Sequence, residues 1–130
     1  MAEEAVAVAQ TLRERKHEFS ALLCYEVGKS WAEADADTAE AIDFLEYYAR
    51  EMIRLAKPQR MGQVPGESNR YFYEPKGVAA VIAPWNFPLA ISTGMCAAAI
   101  VTGCPVVFKP SGFTAVIGHH LVEAFREVGL

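Results

Sequence analysis

Val78-Ala79-Ala80-Val81-Ile82-Ala83-Pro84-Trp85-Asn86-Phe87-Pro88-Leu89 decides the fold of this 130-residue chain. An apolar run with β-branched members reads as a buried strand, and it enters a turn with a proline on each side. Pro84 fixes its own φ and biases Ala83 toward extended geometry, while Pro88, lacking an N–H, suits the first turn of a following helix. The turn is therefore stiff, and it presents one carboxamide, that of Asn86. A stiff turn at the carboxyl end of a parallel strand, opening a helix, is where doubly wound α/β sheets place their ligands.

Outward from this turn, Gly77 to Ala83 reads as a buried strand, Pro88 to Thr102 as a helix rich in small residues, and Val106 to Lys109 as a second buried strand. That is a βαβ unit with parallel strands and a right-handed crossover, and a helix from Thr114 to Val128 returns across the sheet. Upstream, Arg70 to Glu74 alternates polar and aromatic residues as a short edge strand does, and Pro75-Lys76-Gly77 turns the chain. Residues 58–69, with Pro58, Gly62, Pro65, Gly66, Ser68 and Asn69, read as a loop.

Ala5, Val8, Leu12, Phe19, Leu22, Leu23 and Val27 recur at helical steps, so residues 3–27 read as one amphipathic helix, thin at Arg15 and Lys16 and closed by Gly28 as a left-handed cap. A second long helix carries Ala36, Ala39, Ile42, Leu45, Tyr48, Met52 and Leu55 on one face and stops before Pro58. The expected class is α/β. Residues 1–69 form a helical segment and linker loop, 70–76 an edge strand and turn, and 77–130 the first βαβ unit and following helix of a truncated, doubly wound cofactor-binding domain.

An apolar content of 52% and a net charge of −4 leave room for one modest core and no continuous basic face, which argues against nucleic-acid binding. The apolar run Leu89 to Val101 is broken by Ser92, Thr93 and Gly94 and is too short to cross a bilayer. The N-terminus has no signal-peptide core, so no membrane association and a cytoplasmic location are expected. Cys24, Cys96 and Cys104 are odd in number, lack CxxC spacing and read as small core residues in a reducing compartment. No metal site is expected. His119 and His120 point about 100° apart on one helix and read as a solvated patch, and Glu33, Asp35, Asp37 and Glu40 open a helix, where acids favour the dipole.

Two residues carry candidate chemistry. Asn86 either satisfies its own turn backbone or waits as a neutral donor for a developing oxyanion. Lys109 ends a buried strand just before Pro110-Ser111-Gly112, and there it either snorkels to water or grips an anion or hydroxyl pair. Small residues along the intervening helix admit a close neighbour, for which packing alone is a sufficient account. Neither GxGxxG nor GxxxxGK[ST] occurs, so a nucleotide site rests on the fold argument.

Ile82-Ala83-Pro84-Trp85-Asn86-Phe87-Pro88, followed by Thr102-Gly103 and Val106-Val107-Phe108-Lys109-Pro110-Ser111, resembles the NAD(P)-dependent aldehyde dehydrogenase superfamily. Within it, Glu26-Val27-Gly28-Lys29, Ala41-Ile42-Asp43-Phe44-Leu45-Glu46-Tyr47-Tyr48-Ala49-Arg50 and Pro65-Gly66-Glu67-Ser68-Asn69-Arg70-Tyr71-Phe72-Tyr73 look like the 1-pyrroline-5-carboxylate dehydrogenases of proline catabolism. The resemblance implies that Asn86 donates to the thiohemiacetal oxyanion and that Phe87 lines the aldehyde tunnel. It also implies that Lys109 bonds the adenosine ribose and that Ile82, Ala83, Pro84, Trp85 and Ser111 border the cofactor, with Glu40 and Phe44 toward the substrate entrance.

The implied cofactor is NAD. NADP stays open, because Gly112 stands where the family often has a Glu that shares the ribose hydroxyls, and Cys104 replaces the usual Asn before Pro105. Family members are several times longer, with their nucleophilic Cys, general-base Glu and Gly-rich turn expected beyond Leu130. The chain is therefore expected to be part of an oxidoreductase, inactive by itself, whose parent is a homo-oligomer acting on a small aldehyde, glutamate γ-semialdehyde. The alternatives are a non-catalytic interaction module and a piece of a bifunctional proline-oxidising protein.

Overall fold

The computed structural model describes residues 1–130. In chain order the elements are α1 (Ala2–Glu14), α2 (Lys16–Val27), α3 (Trp31–Leu55), β1 (Gln59–Arg60), β2 (Arg70–Tyr71), β3 (Ala79–Ile82), α4 (Ala90–Val101), β4 (Val106–Lys109) and α5 (Ala115–Glu127). The single helix expected over residues 3–27 is in fact two. Arg15 leaves helical geometry at φ −100° and ψ 18°, where no apolar side chain keeps the stripe on the core. Its guanidinium instead bonds Glu18 at 2.8 and 2.9 Å and Glu127 of α5 at 3.2 Å. After the break, Phe19 and Leu23 both reach the core.

Gly28 closes α2 as expected, at φ 71° with its N–H on the Cys24 carbonyl. Ser30 and Glu33 then start α3 with a reciprocal capping box. The buried face of α3 is Ala34, Asp37, Thr38, Ala41, Ile42, Leu45 and Ala49, whereas Ala36, expected inside, is exposed. The face is rotated and widened because α3 packs against α1 and α2 on one side and α4 on the other. Two polar groups are drawn in and find partners: Thr38 donates to the Ala34 carbonyl at 3.0 Å and lies 3.1 Å from the Ser20 hydroxyl. The small residues of α4 serve this packing. A Cβ on Gly94 would lie 3.0 Å from the Phe44 ring, so glycine here is what lets α3 and α4 close on each other.

β3 and β4 pair in parallel, Ala79 with Val106 through Ile82 with Lys109, with α4 as the connection. The βαβ unit is thus present. Both strands were expected to be buried, and that is corrected: Val81 is buried, but Val78, Ile82 and Val107 are 70, 69 and 62% exposed. Val81, Val106 and Phe108 join the core with α4 and α5, and nothing covers the other face, although its residues are those of a doubly covered sheet. Upstream, the expected edge strand over residues 70–74 extends only through Arg70–Tyr71. Its antiparallel partner, Gln59–Arg60, lies where only loop was expected. No helix is long and apolar enough to cross a membrane.

Candidate active site

The ladder runs one residue past β3, the Ala83 N–H donating to the Lys109 carbonyl at 3.1 Å, and the chain then turns through Pro84 to Leu89. Ala83, Pro88 and Leu89 are buried, while Trp85, Asn86 and Phe87 face outward. Helical bonding begins before the regular helix, because the Phe87 carbonyl accepts from the Ile91 N–H at 3.2 Å. Pro88 therefore occupies the first helical turn, where its missing N–H costs nothing. The third helical position, Ala90, has an N–H that Phe87 has no side-chain acceptor to cap. Asp37 of α3 caps it from across the interface, its Oδ1 accepting at 2.7 Å.

Asp37 is buried, and its Oδ2 lies 2.8 Å from the Lys29 Nζ, itself 11% exposed. The same ammonium sits 3.9 Å from the centroid of the Phe87 ring, within cation–π range. Losing one member of such a pair leaves a buried charge uncompensated, at a cost of about 3–5 kcal/mol. The Asp37 reading as a helix-opening acid is thereby corrected, since Glu33 alone does that work in the capping box. Asp37 did leave a trace in the sequence, an acid three residues after Ala34 and four before Ala41, in phase with the buried stripe.

Beside this cluster a cleft of about 350 Å³ is lined by Val27, Gly28, Lys29, Glu33, Ala36, Trp85, Asn86 and Phe87. Asn86 is among its lining residues, and its carboxamide makes no hydrogen bond with its own turn. Glu40 and Phe44 do not line the cleft. Phe44 instead stacks on Tyr48 at 5.9 Å and lies against Gly94. A larger hollow, about 390 Å³ between α4, β4 and α5, has Cys96, Ile100, Phe108, Leu121 and Phe125 in its walls. Apart from Arg126, Cys96 and Cys104 its lining is mainly apolar.

At the carboxyl edge of the sheet, Ile82 and Lys109 are register partners and both are exposed. Lys109 has no carboxylate partner, and its Nζ donates only to the Pro110 carbonyl at 3.2 Å. An unpaired ammonium beside an open apolar strand face fits a nucleoside, with a hydroxyl pair for the cation and an apolar floor for the base. The Ser111 hydroxyl is occupied, accepting from the Phe113 N–H at 3.3 Å, and the Ala83 side chain is buried. These two present backbone rather than side chains.

The cysteines lie apart from the Asn86 cleft. Burial pushes the Cys96 thiol up to about 12. The Thr102 hydroxyl, helped by the Lys76 and Gly77 amides, holds the Cys104 thiol below its ordinary value. Cys104, however, follows the C-terminus of α4 while Asn86 precedes its N-terminus, and a helix of 12 residues separates such ends by about 18 Å. Cys24 packs against the core.

Glu26 is a second residue that sequence reasoning missed. Its two carboxylate oxygens accept from the Val116 and Ile117 N–H groups of α5 at 2.8 Å each. An acid in the last turn of α2 opposes that helix's own dipole, which was the available signal for a distant partner. His119 is exposed, but His120 is half-buried against the edge of Phe19, 3.5 Å from Glu123, and so is not the solvated residue expected.

The aldehyde dehydrogenase family model matches residues 4–130. The chain is 57% identical over 125 residues to 1-pyrroline-5-carboxylate dehydrogenase 1 of Halalkalibacterium halodurans, covering 96% of this chain and 24% of that protein. It is also 57% identical over 132 residues to 1-pyrroline-5-carboxylate dehydrogenase 2 of Bacillus subtilis, covering 98% and 26%. The chain thus spans about a quarter of the length of these relatives. The structure superposes on a Thermus 1-pyrroline-5-carboxylate dehydrogenase with bound NAD at a TM-score of 0.96 and 47% identity, over 99% of this chain and 25% of that one. Proline utilization A from Bdellovibrio bacteriovorus superposes at 0.97 with 47% identity, over 99% and 14%.

Proposed function

The chain belongs to the aldehyde dehydrogenase family, and from that premise we propose that it supplies the helical layer and first cofactor-binding crossover of an enzyme oxidising glutamate γ-semialdehyde to glutamate. The observation that carries the reading is the Pro-bracketed turn, which puts Asn86, its carboxamide unbonded, in the lining of a cleft beside Phe87. The likeness to 1-pyrroline-5-carboxylate dehydrogenases supports the substrate class.

In this reading a thiolate adds to the aldehyde carbon and the carbonyl oxygen gains charge. The Asn86 N–H donates to that oxygen. Being neutral and already oriented, it stabilises the charge without reorganising. Phe87 lines the apolar approach to it. Lys109 would bond the ribose hydroxyls of NAD, and Ile82, Ala83, Pro84, Trp85 and Ser111 would border the same cofactor. NAD, when bound, accepts the hydride.

None of the three cysteines suits the nucleophile: Cys96 is held protonated by burial, Cys104 is at the wrong end of α4, and Cys24 is packed against the core. In this reading the thiolate and the general base lie outside these 130 residues. The test is to assay the intact protein carrying this chain with glutamate γ-semialdehyde and NAD or NADP, beside the 130 residues alone. Turnover by the former and none by the latter is expected. An intact protein that reduces neither cofactor refutes the proposal. The likeness to proline utilization A supports a second reading, in which a proline-oxidising domain shares the polypeptide, and flavin content of the intact protein tests it.

A further inference from the structure

We propose that Lys29 and Asp37 are positioning residues for the Asn86 carboxamide, a buried latch that holds the Pro84–Ala90 turn from two sides. The inference rests on the reading of Asn86 as the oxyanion donor. Pro84 and Pro88 fix φ at their own positions and restrict Ala83 and Phe87 before them, which leaves Trp85 and Asn86 to be held by other contacts. Asn86 cannot restrain itself, since its carboxamide bonds to nothing in the turn. What remains is the latch. Asp37 fixes the far end of the turn through the Ala90 N–H at 2.7 Å, and Lys29 fixes the residue next to Asn86 by lying 3.9 Å over the Phe87 ring.

The 2.8 Å pair between Lys29 and Asp37 joins these two holds into one unit. Its residues come from the α2–α3 connection and from α3, so the helical layer sets where the turn of the α/β unit stands. A buried ion pair adds little stability over apolar packing of the same volume. Its use at this place is geometric, a direction imposed on the turn. The pairing also commits the Lys29 charge, which is why the latch positions the site and does not itself bind an anionic substrate.

The experiment uses the intact enzyme that carries this chain, with kcat expressed per active-site thiol titrated in the burst, so that loss of folded protein does not count. The variant K29M/D37N removes the ion pair and the hold on Phe87 without stranding either charge, while the carboxamide oxygen at 37 can still accept from the Ala90 N–H. Its kcat per site is expected to fall about tenfold or more, the scale of a small misplacement of a catalytic group, and Lys29→Arg, which keeps the cation over the ring, is expected to retain most of the activity. In an Asn86→Ala background the same double change is expected to have less than about a twofold further effect, because the residue it positions is gone.

Unchanged kcat per site in K29M/D37N, or an equal loss with and without Asn86, overturns the latch. Should the double variant fail to fold, Lys29→Gln gives the same decision, and wild-type kcat per site there is equally fatal. If Asn86→Ala alone keeps full turnover, the oxyanion reading fails and the latch falls with it. A loss at Asn86 without a loss at the latch refutes the latch only.

Discussion

Replacing Glu26 by alanine removes a cap that holds two layers of the fold together. The Thr114 side chain does not cap α5, so its second and third N–H groups, those of Val116 and Ile117, rely on the Glu26 carboxylate at 2.8 Å each. Loss of a helix cap costs about 1 kcal/mol. The lost charge at a helix N-terminus adds about 0.5 kcal/mol, and the part-buried Ile117 N–H, unlike that of exposed Val116, cannot fully rehydrate. The sum is about 2 kcal/mol. For a chain of 130 residues that lowers Tm by about 7 °C. Glu26→Gln keeps one acceptor and loses the charge, for about half the effect. Urea and thermal unfolding of the two variants, read by circular dichroism, measure both. A shift below about 2 °C for Glu26→Ala would show that α5 does not depend on this carboxylate, and the account of how the layers dock would be wrong.

Gly118→Ala is expected to destabilise although alanine favours helices, because its Cβ would meet the rigid Pro110 ring at 2.9 and 3.1 Å. A propensity gain of about 1 kcal/mol is outweighed by overpacking of about 1–3 kcal/mol, whereas Gly112→Ala, with open space around it, should leave the urea midpoint unchanged. Alkylation followed by mass spectrometry should find Cys104 modified first, and at lower pH than an ordinary thiol. Its lowered pKa puts the reactive thiolate in hand earlier as pH rises, and Thr102→Val should slow the reaction. Cys96, pushed up to about 12 by burial, should stay unmodified until denaturant opens the core.

The α/β crossover was legible because its signals are local: two prolines bracketing a turn, a small-residue helix and a second apolar run, all within residues 77–109. Gly28 was legible for the same reason, as a glycine ending an amphipathic stripe. What escaped depends on partners far along the chain. Asp37 meets Ala90 across 53 positions and Glu26 meets α5 across 90 and 91, and no window of sequence contains both halves of either contact. The break at Arg15 shows as a gap in the apolar stripe, but its bond to Glu127, 112 positions away, does not. The open face of β3 and β4 was misread because an apolar strand records the cover it is suited to, not the cover these 130 residues provide. Within the cleft, the position of Asn86 followed from the turn, but the pair beneath it did not.

The most direct test is pre-steady-state turnover of the intact enzyme with Asn86→Ala, with cofactor affinity measured alongside. Loss of one oriented oxyanion donor should lower kcat by about 10²–10³ while leaving NAD affinity within about twofold. Wild-type kcat in a folded, cofactor-binding variant would contradict the account.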